Sequence, residues 1–312
     1  MGELLLSDNV AIGGSFMTWP IPEISRRKTA RGLVASVWAT AAIGMLPIPS
    51  LAQAPPSFAP PEVERLVSRI ALYPDPLLAQ VFAAATFPDQ IPDAARWADQ
   101  HHYLTGEALA RAISEDRLPW DPSVQALLPF PSVLDMMASD MRWTSDLGNA
   151  FLAQQRDVMD AVQRMRHRSW DYGYLRTNPQ VIVRNGPFIE IVPANPAFMV
   201  VPYYDPLIVY APPRPGFVLG AAIRFNFGVT LGLAFRPWGW GVNRFVWNTR
   251  TVIINDRPWG RTWANRPTYV HPYEVRRYEP ARRTEGHELH ERNERERQAA
   301  RSGHERVEEH RR

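Results

Sequence analysis

Cysteine is absent from the 312 residues. That excludes a disulfide scaffold, thiolate-ligated zinc, a thiol nucleophile and the lipid-bearing cysteine of a bacterial lipoprotein. Lysine is almost absent as well: Lys28 is the one lysine, and arginine supplies every other basic side chain except histidine. The 35 basic groups are offset by 32 acidic ones, leaving a formal charge of +3, so no uniform positive field exists and no nucleic-acid partner is expected. Glycine-rich phosphate loops, dinucleotide fingerprints, Gly-x-Ser-x-Gly and His-Glu-x-x-His are all missing, and with them any motif for a cofactor or metal. No apolar run reaches the roughly 20 residues of a confident membrane-spanning helix.

The remaining composition, 45% apolar and 21% charged, belongs to a globular chain. Its 30 prolines are spread along the sequence and cut it into short elements.

Residues 1–52 read as an export signal. Arg26, Arg27, Lys28 and Arg31 precede an apolar stretch over 32–46, and small residues with Ala52 offer a cleavage site. The stretch before the basic cluster is long, and Met17 would supply a more ordinary start; an uncleaved signal anchor is the other reading. A Pro-rich spacer follows at 53–61.

The stretch Ile70-Ala71-Leu72-Tyr73-Pro74-Asp75-Pro76-Leu77-Leu78-Ala79-Gln80 organises what comes next. Pro74 ends one helix, and Asp75 with Pro76 supplies an N-cap side chain followed by a preset first-turn φ. Apolar residues recur at helical spacing on both sides, which predicts two helices meeting at a corner. Further helices are expected to Arg168, including one at 145–168 whose Arg164, Arg166 and Arg168 would suit a helix C-terminus. Together 62–170 form an expected helical domain.

From 179 to 265 the pattern is β. Val181-Ile182-Val183 and the run from Phe188 flank Asn185-Gly186, a hairpin signal. Over 223–235 large apolar residues occupy the odd positions and small or polar ones the even positions, which predicts a long strand. Its Phe225, Phe227 and Leu231 are candidates for an interaction surface, and its small even positions would let another backbone approach. Residues 273–312 are Glu, Arg and His with almost no large apolar side chain, the composition of a solvated, partly helical tail.

Candidate chemistry is thin. Asp75, Asp121 and Asp205 each precede a proline, the setting of a cap or turn residue. Two of them brought within about 5–9.5 Å would be a glycosidase-like pair. Trp97, Trp120, Trp143 and Trp170 are candidates for a groove, against the plainer role of core packing.

The corner motif, followed by Ala94-Ala95-Arg96-Trp97, Trp120-Asp121-Pro122-Ser123-Val124 and Asp157-Val158-Met159-Asp160-Ala161-Val162-Gln163-Arg164, resembles the bacterial exported family known as domain of unknown function 3300. The resemblance runs over about 62–210. It implies export to the envelope and supplies no catalytic residue. The expectation is an α+β protein with short Pro-separated helices, a small mostly antiparallel β region and a charged tail. Its expected role is non-catalytic binding or scaffolding in the cell envelope, with Tyr73, Pro74, Asp75, Pro76, Trp97, Trp120, Asp121, Pro122 and Asp205 as its marked residues. The partner would be an envelope protein or peptidoglycan, with peripheral membrane contact as a further mode. The alternative is a hydrolase of an envelope polymer that uses the Asp-Pro carboxylates.

Overall fold

The computed structural model describes residues 54–269 apart from 217, 218 and 227. The expected signal region, the charged tail and Phe227 lie outside the described residues. Eight α-helices come first: α1 Pro60–Val67, α2 Asp75–Ala85, α3 Ile91–Gln100, α4 Gly106–Glu115, α5 Pro122–Gln125, α6 Pro131–Ser139, α7 Met141–Ala153 and α8 Gln155–Asp171. The helix expected at 145–168 is thus two helices, with the break at Gln154. There the side chain turns back to bind the Phe58 backbone at both ends, accepting from N–H at 2.7 Å and donating to C=O at 3.2 Å.

Proline at the first or second position starts α1, α2, α3, α5 and α6, where its missing N–H would have had no helical partner. α2 is the axis of the bundle. Every residue of it except Pro76 is buried, the signature of a helix surrounded on all sides. It packs against α5 and α7 and against the later strands. Phe82 stacks on Phe151 at 4.8 Å and meets Phe245 edge-on at 6.2 Å. Gly148 of α7 sits so close to the end of α2 that a Cβ there would overlap the Ala85 carbonyl.

The β region is antiparallel and assembled from small pieces. β1 Val181–Asn185 and β2 Ile189–Pro193 form the hairpin expected around Asn185-Gly186. β3 Phe198–Met199 and β4 Pro202–Tyr204 precede α9 Pro206–Val209; then come β5 Ile223–Phe225, β6 Val229–Thr230, β7 Arg244–Val246, β8 Thr251–Ile254 and β9 Arg257–Pro258. β7, β8 and β9 make a three-stranded sheet. Asn255 and Asp256, both at positive φ, form its two-residue turn.

The strand expected over 223–235 is not continuous. β4 pairs with β5 and β3 with β6; in sequence two residues, 200 and 201, separate the pairings on one side and three, 226–228, on the other. Such a bulge reverses which face each later side chain takes. Asn226 holds it: its N–H donates to the Val201 carbonyl at 3.3 Å and its Oδ1 accepts from the Val201 N–H at 2.9 Å. Ile223 and Phe225 therefore pack on a small core with Val181, Ile189 and Ile191, whereas Val229 and Leu231 pack on the helical core. Beyond Gly232 the chain turns into 3-10 helix over Leu233–Trp238. Beyond it β7 and β8 pair with each other rather than with the 223–235 segment.

Candidate functional site

The corner between α1 and α2 leaves several backbone carbonyls without helical partners, and side chains from distant parts of the chain take them up. Trp143 Nε1 donates to the Leu66 carbonyl at 2.9 Å. The Tyr204 and Tyr210 hydroxyls both donate to the Ser68 carbonyl at 3.0 Å, and Tyr204 accepts from the Leu72 N–H at 3.3 Å. Arg166 of α8 reaches the Ala71 carbonyl with Nε at 2.8 Å and the Tyr73 carbonyl with Nη2 at 3.0 Å. A buried carbonyl left unpaired would cost about 1–3 kcal/mol, so the corner depends on α7, α8 and the β region for its shape.

Asp75 does not cap α2 as expected. It is the first residue of the helix, Pro74 holds the cap position, and no side-chain cap bond forms. The carboxylate faces inward instead. Its Oδ1 lies 2.6 Å from Arg166 Nη1, with the two side chains 6% and 0% exposed. Trp247 Nε1 donates to Oδ2 at 3.2 Å, and the Ile191 N–H acts to lower the carboxyl's pKa. The Arg166 guanidinium lies over the Trp247 ring at 5.1 Å, and its Nη1 also donates to the Ile189 carbonyl at 2.8 Å. Burial raises the Asp75 pKa above the ordinary carboxylate value, and Arg166, Trp247 and Ile191 only partly offset it. Burial similarly drives the phenols of Tyr73, Tyr204 and Tyr210 upward, so all three are neutral hydrogen-bonding groups at physiological pH.

The other two Asp-Pro carboxylates do cap. Asp121 Oδ1 accepts from the Ser123 N–H at 2.9 Å and hydroxyl at 2.6 Å, while Oδ2 pairs with Arg261 at 2.8 Å. Asp205 accepts from the Leu207 N–H at 2.8 Å at the start of α9. Asp75 is in the core, Asp121 is held under Arg261, and Asp205 borders a surface groove with Leu207, Ile208 and Arg214. Trp97, Trp120 and Trp143 are buried; Trp97 donates to Asp116 at 2.6 Å and stacks on His101 at 3.8 Å. Trp170 is half-buried beneath Arg176, whose guanidinium is 4.4 Å from the ring.

A second pattern emerges at residues 239–261, which lie across the helices as a strap. Gln80 donates to the Gly239 carbonyl at 2.5 Å, and Trp240 Nε1 donates to the Ala126 carbonyl at 2.8 Å. Arg250 pairs with Asp160 at 2.8 Å, and Trp247 and Arg261 reach Asp75 and Asp121. Arg261 is further enclosed by the rings of Phe87, Trp259 and Tyr269, at 4.8, 5.3 and 5.0 Å. Among the described residues, no cluster of three or more potential ligands could hold a metal.

Sequence reasoning missed the roles of Gln163, Trp247 and Arg261, and it read Arg166 as a basic residue of a helix C-terminus where the structure buries it against Asp75. One signal was available for Arg166: it falls on the same helix face as Val158, Val162, Met165 and Ser169, where a surface arginine does not belong.

Residues 59–257 match the family model described as Protein of unknown function (DUF3300). The chain belongs to this family. A curated relative, "Uncharacterized protein YacH" of Escherichia coli (strain K12), is 30% identical over 239 residues, which covers 60% of this chain and 38% of the relative. The chain thus spans well under half the length of that relative. No solved structure matches the chain. The DUF3300 match takes in the corner, Arg166, Asp160, Arg250 and Trp247, and ends before Arg261.

Proposed function

We propose that this DUF3300 protein is a non-catalytic binding or scaffolding module exported to the cell envelope. The observation that carries this reading is the use the fold makes of its marked carboxylates. Asp75 is neutralised in the core by Arg166, Asp121 is spent on a cap and Arg261, and Asp205 is spent on a cap. A hydrolase would need a carboxylate pair facing a cleft. The export part of the reading is supported by the basic cluster, short apolar run and small residues ahead of Gln53. Among the described residues no helix is long and apolar enough to cross a membrane. Peripheral contact or association with an envelope protein or peptidoglycan is the corresponding mode.

The test is to fractionate cells expressing the tagged chain, sequence the N-terminus of the product, and capture partners from the solubilised envelope. A product beginning near Gln53 in the envelope fraction, with a saturable partner, is the expected outcome. Full-length protein confined to the cytoplasm would overturn it.

A further inference from the structure

The β1–β2 hairpin shows how this fold deals with an open strand edge. Along β2, Gln163 exchanges two hydrogen bonds with the Ile189 backbone, at 2.8 and 3.0 Å, and the polar influence of the Ile191 N–H reaches the Asp75 carboxyl. Along β1, the Thr177 hydroxyl binds both the N–H and C=O of Val183, and Asn178 takes those of Val181. Side chains and a short backbone segment stand in for the missing strands.

β6 is treated differently. The Leu231 N–H donates to the Ala197 carbonyl at 3.0 Å, so by antiparallel alternation Val229 and Leu231 turn their backbone groups towards β3. Thr230 between them turns its N–H and C=O outward. Among the described residues neither group of Thr230 has a hydrogen-bond partner, and Thr230 is exposed. It borders a groove of about 590 Å³, lined also by Gly228, His102, Leu104, Leu109 and Leu128. That volume is in the range of ligand sites, and no Asp, Glu, Lys or Arg lines it. Gly228 and Gly232 flank the open residue, and the space where a Gly232 side chain would sit is empty.

An outward donor and acceptor on one extended residue match a peptide backbone, and an uncharged groove with leucines beside them matches an apolar side chain. We propose that the outer edge of β6 docks an extended segment of a partner protein. That segment adds a strand at Thr230 and lodges an apolar side chain among Leu104, Leu109 and Leu128. The proposal rests on the binding-module reading and specifies its ligand class.

The probe is an acetylated, amidated peptide of alternating threonine and leucine, seven residues long, titrated against the exported chain. Two further copies carry N-methyl groups on either the odd or the even amides, which blocks pairing along one edge and leaves the side chains in place. The unmodified peptide should bind saturably, and one methylation pattern should be tolerated and the other rejected. Thr230→Pro removes the outward N–H without touching the β3 ladder, and should weaken binding by about two- to tenfold, the scale of one hydrogen bond. Thr230→Val should bind like the parent. Failure of the unmodified peptide to bind, acceptance of both methylated copies, or equal binding by a folded Thr230→Pro variant would overturn the assignment. Envelope capture separates this from the broader reading. If parent and Thr230→Pro capture the same partner, the module stands and the edge falls; if the parent captures nothing, the module itself falls.

Discussion

The turns at Asp75-Pro76 and Asp205-Pro206 share a dipeptide and use it in opposite ways. At the surface, Asp205 closes a purely local loop, accepting the N–H two residues on and starting a single turn of helix. In the core, Asp75 forgoes the local bond and joins α2 to α8, β2 and the strap. What differs is the presence of a buried cation. Arg166 is fully buried and already committed to three backbone carbonyls, and a guanidinium there requires an anion. The same dipeptide is therefore a turn marker in one place and an organising contact in the other, depending on what lies about 90 residues away.

The largest effect that could break this contrast should come from Arg166→Ala. Removing one member of a buried pair leaves the other uncompensated, at about 3–5 kcal/mol. Three carbonyls also lose donors. Urea denaturation should show a large loss of stability, and a change under about 1 kcal/mol would place the variant among ordinary surface substitutions and refute the clasp.

A smaller effect is expected at the surface turn. Asp205→Ala should cost about 0.5–2 kcal/mol, the value of an N-cap, and Asp205→Asn should recover most of it because an amide oxygen also accepts. Asp75→Asn should recover little, because both carboxylate oxygens face donors, Arg166 Nη1 and Trp247 Nε1, and the amide NH2 would be set against one of them. Equal rescue at both positions, read by thermal melting, would erase the distinction.

The smallest effect is the dependence on pH. Burial raises Asp75, so its linkage contribution is present below the ordinary carboxylate pKa and is lost as pH rises through the folded value. It therefore does not drive acid unfolding. Glu64 and Asp140 behave in the opposite sense. Burial pushes Glu64 up, but Arg164 and Arg168 outweigh it and hold it low, and the Trp143 N–H with Arg69 lowers Asp140. Their contributions are present above the ordinary carboxylate range and are lost as pH falls through their folded values. Asp140→Asn should flatten the acid limb of stability against pH, whereas a steep acid limb unchanged in this variant would remove Asp140 from the account.

Much of the fold was legible because its signals are local. Proline at helix starts, the Asn185-Gly186 hairpin, and the apolar spacing around the corner need only a few neighbouring residues to be read. The split at Gln154 was hidden because its cause is a pair of hydrogen bonds to Phe58, 96 residues away. Period two over 223–235 was a true signal read too simply: the odd residues are the packed ones, but a one-residue bulge shares them between two cores. The candidate site was legible in position and misread in role. Asp75 was read as the cap of the corner because its local sequence is that of a cap, and nothing within a helical turn announces Arg166 as its partner.

The central claim is that Asp75 and Arg166 form one buried unit that organises the corner, and a double-mutant cycle on Asp75→Leu and Arg166→Met addresses it most directly. Each single change should destabilise by about 3–5 kcal/mol, and the double variant should be far less destabilised than their sum, because neither charge is then left buried alone. Strictly additive losses, or single variants as stable as the parent, would contradict the account.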